Sequence, residues 1–368
     1  MRILIAAGGS GGHIFPAVAL AEELRSKDLS AEILFVGSDK ALDRRVFEKG
    51  GFKYILLSAN KLPYKASFKM LIFLLKLSID IVRSLAILMK YRPGAVVGFG
   101  GYVSAPVIAA AYILGIPKIV HEQNAVPGRA NTMLFRFVDK IAVSFEETKK
   151  YLRTYAKKAV FTGNPIRVSI LKDDKAGNIK KLGLDPQKFT ILVVGGSQGA
   201  HNLNKSFLIS LSKMDEDARR FLQVIHITGV TDYGWASSAY KELSIEHLVY
   251  SFVDRIEEVY SASDLVVTRS GASAIFEIAY FARPMILIPY PFALGHQSEN
   301  ARIFSMRGAA IEIDEKNLSG DLMKEKIETL LKDRKRLSEM GESARRMSVP
   351  NSSYSLAQAV LNIEKRSK

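Results

Sequence analysis

The chain has 368 residues, 48% apolar and 24% charged, which is long enough for two separate cores and too apolar for a disordered chain. It contains no cysteine, which excludes disulfides, thiolate metal sites and cysteine nucleophiles and fits a reducing compartment. The net charge of +15 is uneven: residues 1–164 carry 24 Lys and Arg against 12 Asp and Glu, and the remainder carries 28 against 25. The first half is therefore expected to face an anionic partner, whether nucleic acid, an acidic membrane or a diphosphate lipid.

The first strand begins at once, in Arg2-Ile-Leu-Ile-Ala-Ala7, which leaves no room for a signal peptide and predicts a cytoplasmic protein. It runs into Gly8-Gly-Ser-Gly-Gly-His13 and a helix over 17–24. Strand and helix patterns then alternate over 33–37, 42–49, 54–57, 68–89, 95–98, 103–114, 118–121, 130–137, 140–144, 146–155 and 159–162. That rhythm predicts a parallel sheet covered on both faces. Gly163-Asn-Pro165 marks a boundary, and after a Lys-rich passage the opening device recurs. Thr190-Ile-Leu-Val-Val194 enters Gly195-Gly-Ser-Gln-Gly-Ala200 and a helix over 202–211. The expected fold class is α/β: two similar domains, 1–164 and 165–350, with ligands in a cleft at the carboxyl ends of the strands. A last helix in 351–368 is expected to cross back onto the first domain.

Four glycines within residues 8–12 let a backbone approach phosphate closely. This is not the dinucleotide fingerprint, because Ile14 stands where its third glycine belongs, and there is no P-loop Gly-Lys-Ser/Thr. His13 falls just inside the following helix, whose dipole disfavours the imidazolium. It reads either as a general base or as a capping residue. A third glycine-rich strand exit, Gly98-Phe-Gly-Gly-Tyr-Val-Ser104, exceeds what one nucleotide needs and points to a second phosphate-bearing ligand. Its contacts would be Gly9, Gly100, Gly101 and Tyr102. In His121-Glu-Gln-Asn124, either His121 or Glu122 is an alternative base, and Asn124 can bind a sugar hydroxyl.

In the second domain, the strand at 265–268 leads through Arg269-Ser-Gly-Ala-Ser273 into a helix and then a strand at 285–288. Such a turn presents unpaired N–H groups at a positive helix end, which suits a diphosphate. Glu277, one turn further on, can accept from a sugar diol, and Gln297 stands where a loop enters another helix. His296 and Glu299 make no metal site, because no second histidine lies at ligand spacing. The helix over 68–89 is more apolar than a crossover helix requires, with Lys69, Lys76, Asp80, Arg83 and Lys90 on one narrow stripe. Lys69, Phe73, Leu74, Leu75, Lys76, Ile79 and Arg83 are expected to meet a membrane surface, although the charges exclude a spanning helix.

Taken in order, Gly-Gly-Ser-Gly-Gly-His-Ile-Phe-Pro at 8–16, Gly-Phe-Gly-Gly-Tyr, His-Glu-Gln-Asn, Gly-Asn-Pro-Ile-Arg at 163–167, Gly-Gly-Ser-Gln-Gly-Ala and Arg-Ser-Gly-Ala with Glu277 resemble the MurG family, the N-acetylglucosaminyltransferases of peptidoglycan synthesis. The resemblance covers the whole chain. It implies a GT-B fold of two Rossmann-like domains and an inverting hexosyl transfer from UDP-N-acetylglucosamine to lipid I, giving lipid II. It implies no metal or other cofactor, a peripheral position on the cytoplasmic side of the plasma membrane, other cell-wall synthesis proteins as partners, and no nucleic acid. Carried over by position, Ser10, Gly11, Gly12 and Asn124 meet the transferred sugar, and Arg167 and Ser197 its diphosphate. Val253 reads uracil through its backbone, Ala272, Ser273, Ala274, Ile275 and Phe276 line the phosphate and sugar, Glu277 takes the ribose and Gln297 the sugar hydroxyls. His296 departs from the family's usual Gln-Gln pair. A diacylglycerol glycosyltransferase, a UDP-sugar epimerase and a basic nucleic-acid-binding protein are the competing readings.

Overall fold

The structure is a computed structural model that describes residues 1–58, 68–167, 170, 173–195, 200–291 and 295–365. The chain folds into two compact units, Met1–Val168 with Pro350–Lys368, and Ser169–Val349. In the first, strands and helices alternate as β1 (Arg2–Ala6), α1 (Gly11–Lys27), β2 (Glu32–Ser38), α2 (Ala41–Lys49), β3 (Lys53–Leu57), α3 (Phe68–Tyr91), β4 (Ala95–Gly98), α4 (Gly101–Ile113), β5 (Lys118–Glu122), α5 (Arg129–Leu134), β6 (Lys140–Val143) and β7 (Ala159–Phe161). The second contains α6 (Lys175–Lys181), β8 (Phe189–Val194), α7 (His201–Ser212), α8 (Glu216–Arg220), β9 (Leu222–Ile227), α9 (Tyr233–Glu242), β10 (Glu246–Tyr250), α10 (Ile256–Ala262), β11 (Leu265–Thr268), α11 (Ala272–Tyr280), β12 (Met285–Leu287), α12 (His296–Met306), β13 (Ala310–Glu312), α13 (Gly320–Lys332) and α14 (Arg334–Met347). The closing helix α15 (Ser352–Lys365) belongs to the first unit.

Both sheets are parallel throughout, in the orders β3-β2-β1-β4-β5-β6-β7 and β10-β9-β8-β11-β12-β13. Central strands buried on both faces must be apolar without alternation, and β1 is: Ile3, Leu4, Ile5 and Ala6 are all fully buried. On one face Ile14, Ala17 and Leu20 of α1, Phe47 of α2 and Leu356 and Val360 of α15 complete a core. On the other, Leu88 of α3 packs with Val103, Val107 and Ile108 of α4. Strand order reverses between β1 and β4 in one sheet and between β8 and β11 in the other. Loops leaving those strands at their carboxyl ends splay apart, which is where such sheets take ligands.

One predicted element takes another form. Residues 146–155 are not one α-helix but two 3-10 segments, Glu146–Tyr151 and Arg153–Lys158. Arg153 sits at φ 50°, a left-handed conformation that interrupts helical hydrogen bonding.

Candidate active site

The loop leaving β1 is held by a residue that sequence reasoning did not single out. Asp43, in the first turn of α2, is fully buried. Its carboxylate accepts hydrogen bonds from Gly9 N at 2.9 Å and from Ser38 N and Oγ at 2.9 and 2.7 Å. A buried carboxylate needs such donors, each charge-assisted bond being worth roughly 1.5–3 kcal/mol. A Cβ on Gly8 would stand 2.2 Å from Asp43 Oδ2, so only glycine admits this approach. Lys40 Nζ donates to Gly9 O at 2.6 Å. An aspartate in a helix's first turn is ordinary in sequence, which is why nothing flagged it.

His13 is half-buried on the first turn of α1, and its Nδ1 lies 3.3 Å from Ser10 Oγ and 3.4 Å from Gly8 O. Ser10 is the N-cap residue by position, yet its side chain makes no cap bond and turns to the histidine instead. Burial lowers the His13 pKa below 6.5, opposed by the charges of Glu122 and Asp43 and by the Gly8 carbonyl, so the ring is neutral at neutral pH. Gly101, at φ 73°, opens α4 against this loop: a Cβ there would meet Gly8 O and His13 Nδ1, both at 3.1 Å. The N-termini of α1 and α4 thus converge on one spot, with Gly9, Gly100 and Gly101 lining it and Tyr102 exposed at its rim.

The exit of β5 is built differently from the base-bearing loop expected. Glu122 is 1% exposed. Its oxygens accept from Asn124 N, Gly128 N and Asn131 Nδ2 at 2.9, 2.9 and 2.8 Å. Those bonds make it the organiser of the 122–131 loop. His121 is buried with Nε2 3.1 Å from Gly163 O and Nδ1 3.1 Å from the Gln123 amide, and burial pushes its pKa down to about 4. Both nitrogens are occupied, so His121 is a neutral structural group. Asn124 is half-buried at the loop's mouth. Arg167 lies with the first unit, its guanidinium 4.4 Å from the Phe15 ring on α1.

In the second unit, β11 is followed by Arg269, which is buried and ion-paired with Glu315. Asn202 Nδ2 donates to the same carboxylate at 3.0 Å, tying the start of α7 to the exit of β11. Ser270 Oγ donates to Gln297 O at 2.8 Å, and Asn300 Nδ2 to Ser270 O at 3.1 Å, which clamps the turn to α12. The turn leads to Gly271, the N-cap of α11, which brings no side chain to cap the N–H groups of Ala272, Ser273 and Ala274. Ile275 and Phe276 anchor the helix in the core, and Glu277 lies one turn in, 7% exposed. Gln297 Oε1 accepts from Tyr290 N at 3.0 Å, and Val253 is half-buried after the exposed Phe252. Ser197 lies outside the described residues.

Helix α3 turns Ser84, Leu88 and also Asp80 inward, so the aspartate leaves the expected surface stripe; Phe73 is half-buried for the same reason. Leu74, Leu75 and Ile79 are exposed, joined by Ile72, Val82 and Met89, with Lys76 and Arg83 also exposed. The side chain of Lys69 lies outside the described residues. Among those residues no helix is long and apolar enough to cross a membrane.

Two parallel sheets, each with a small-residue helix start beside its switch point, place the chain in the two-domain α/β class that takes ligands at the carboxyl ends of its strands. The chain matches the glycosyltransferase family 28 N-terminal domain over residues 3–143 and the family 28 C-terminal domain over residues 190–358. It is 40% identical over 368 residues to the UDP-N-acetylglucosamine–N-acetylmuramyl-(pentapeptide) pyrophosphoryl-undecaprenol N-acetylglucosamine transferase of Caldanaerobacter subterraneus, covering 99% of this chain and 100% of that one. It is 39% identical over 358 residues to the protein of that name from Halothermothrix orenii, covering 95% of each. Among solved structures, Acinetobacter baumannii MurG matches with a TM-score of 0.77 at 25% identity over 98% of this chain and 99% of that one. The UDP-GlcNAc 2-epimerase of Neisseria meningitidis matches with a TM-score of 0.72 at 12% identity, over 98% of this chain and all of that one, a likeness of fold alone. The chain belongs to the MurG family of N-acetylglucosaminyltransferases.

Proposed function

We propose that the protein transfers N-acetylglucosamine from UDP-N-acetylglucosamine to the muramoyl 4-hydroxyl of undecaprenyl-diphospho-N-acetylmuramoyl-pentapeptide, releasing UDP. The observation that carries this reading is the full-length relationship to proteins bearing that activity in their names. His13 is the base. Its neutral ring takes the proton from the 4-hydroxyl as that oxygen bonds to the anomeric carbon, while the bond to UDP breaks and the electron pair leaves with the diphosphate. One displacement on an α-linked donor gives a β-1,4 link.

The charge growing on UDP meets the N-terminus of α11 at Ala272 and Ser273, with Arg167 and Ser197 as further donors. Glu277 takes the ribose hydroxyls, Val253 the uracil, and Gln297, Asn124, Ser10, Gly11 and Gly12 the transferred sugar. Gly9, Gly100, Gly101 and Tyr102 receive the acceptor diphosphate at the paired starts of α1 and α4. Glu122 shapes this loop and is no part of the proton transfer. The exposed apolar face of α3 with Lys76 and Arg83 seats the protein on the anionic cytoplasmic membrane surface, where the acceptor resides.

The test is transfer of labelled N-acetylglucosamine to a soluble lipid I analogue, with diacylglycerol as the competing acceptor. Label on the muramoyl sugar supports the proposal. Label on diacylglycerol alone, or epimerisation of the UDP-sugar without an acceptor, would replace it.

A further inference from the structure

We propose that Asp43 is the orienting carboxylate of His13, acting through the peptide that joins Gly8 to Gly9 rather than by direct contact. The inference rests on His13 being the base. In a trans peptide the N–H and the C=O lie in one rigid plane and point in opposite directions. Here the N–H, that of Gly9, donates to Asp43 at 2.9 Å, and the C=O, that of Gly8, lies 3.4 Å from His13 Nδ1. The carboxylate therefore sets the direction of the carbonyl and, by polarising the amide it holds, strengthens that carbonyl as an acceptor.

A carbonyl only accepts, so its contact calls for hydrogen on Nδ1, and the Ser10 hydroxyl, 3.3 Å from the same atom, then accepts there rather than donates. That leaves Nε2 as the atom with a lone pair, and Nε2 has no hydrogen-bond partner among the described residues. In hydrolytic triads a carboxylate does this work by touching the imidazole. Here a peptide plane is interposed, and the rest of the arrangement supports it. Ser38 N and Oγ fix the carboxylate from the far side. The missing Cβ of Gly8 lets the carboxylate reach the plane, and that of Gly101 lets α4 reach the carbonyl and the ring. The contacts to Nδ1 are long, as catalytic hydrogen bonds often are before substrate closes on them. The charged groups that act on the ring are Asp43 and Glu122, which favour its protonation, and Lys40, which opposes it.

The experiment has two parts. The first is nitrogen NMR of the His13 ring in the wild-type protein at neutral pH, where the proposal expects hydrogen on Nδ1. A ring carrying its hydrogen on Nε2 overturns it, whatever any variant does. The second is Asp43→Asn, with Gly8→Ala as the companion that displaces the carboxylate without changing its charge. In folded Asp43→Asn, kcat should fall by roughly tenfold or more, within the ~10²–10⁴ that a general base supplies, with donor KM within about twofold. The acid limb of the pH profile should move lower, because a charge favouring imidazolium is gone, and the ring should populate both tautomers. Gly8→Ala should show the mixed tautomers and the kcat loss. Unchanged tautomer and pH profile, or a loss confined to KM, would reduce Asp43 to a loop prop. His13→Gln separates the two readings: if it retains full turnover, His13 is not the base, while the tautomer measurement still decides the orienting contact.

Discussion

At the scale of single residues, the site depends on which histidine is left unoccupied. His121 spends both nitrogens on Gly163 and Gln123, whereas His13 spends only Nδ1. His13→Gln should therefore lower kcat by ~10²–10⁴ with little change in donor KM, read by steady-state turnover of a soluble acceptor. The sign of its pH dependence follows from burial. A folded pKa below 6.5 means that the neutral, proton-accepting ring persists to acid pH, so the acid limb of kcat/KM should lie below that value. A limb above 6.5 would point to another group. Glu277 makes the complementary case. In its proposed role as ribose acceptor it would bind donor in the ground and transition states alike, so Glu277→Ala should raise donor KM by roughly tenfold or more and leave kcat close to wild type. An unchanged KM would remove it from the donor site.

At the scale of elements, the strand–loop–helix alternation was legible because buried parallel strands are continuous apolar runs punctuated by glycine, as at Ile3, Leu4 and Ile5 before Gly8. What stayed hidden is the set of groups that hold the glycines still. Asp43 lies well away in sequence from the β1 loop it fixes, and neither it nor Asn131 carries a local signal; only the packing of α2 against β2, and of α5 under β5, brings them in. Glu122 was visible as a candidate but not as a loop organiser, since its donors Gly128 and Asn131 are set by tertiary contact. Helix α3 shows the same division. Its excess of apolar residues was readable, but which face is covered depends on α4, and Asp80 went inside with Ser84 and Leu88. The face left over has Leu75, Ile79 and Val82 59%, 53% and 64% exposed at i, i+4 and i+7. Changing all three to Ser should weaken binding to liposomes on the order of tenfold or more, given ~1.5–3 kcal/mol for fully burying each large side chain. Turnover of a soluble acceptor should be unaffected, because none of the three supports the β1 or β5 loops. Equal liposome affinity would mean that this face meets something other than lipid.

At the scale of the whole molecule, the imbalance between a first half carrying 24 basic and 12 acidic residues and a remainder carrying 28 and 25 assigns different physics to the two ligands. A basic surface beside an anionic leaflet gains about 1 kcal/mol per Lys or Arg near the headgroups, an attraction that falls off within a Debye length. In the proposed reading the donor diphosphate, by contrast, is met by backbone N–H groups at a helix start, and its ribose and hexosamine by Glu277 and Gln297, groups that are buried or half-buried, where salt screens little. Raising ionic strength from about 50 to about 500 mM shortens the Debye length from roughly 14 Å to roughly 4 Å, so binding to anionic vesicles should fall steeply while UDP affinity barely moves. Vesicles without anionic lipid should bind weakly at every salt concentration, retaining only the apolar share from α3. Co-sedimentation with both vesicle types, beside calorimetric titration with UDP, measures the two dependences on one preparation. If vesicle binding ignored both salt and lipid charge, the basic residues would have no part in docking. If UDP affinity collapsed in parallel with vesicle binding, surface charge rather than the α11 turn would be holding the donor.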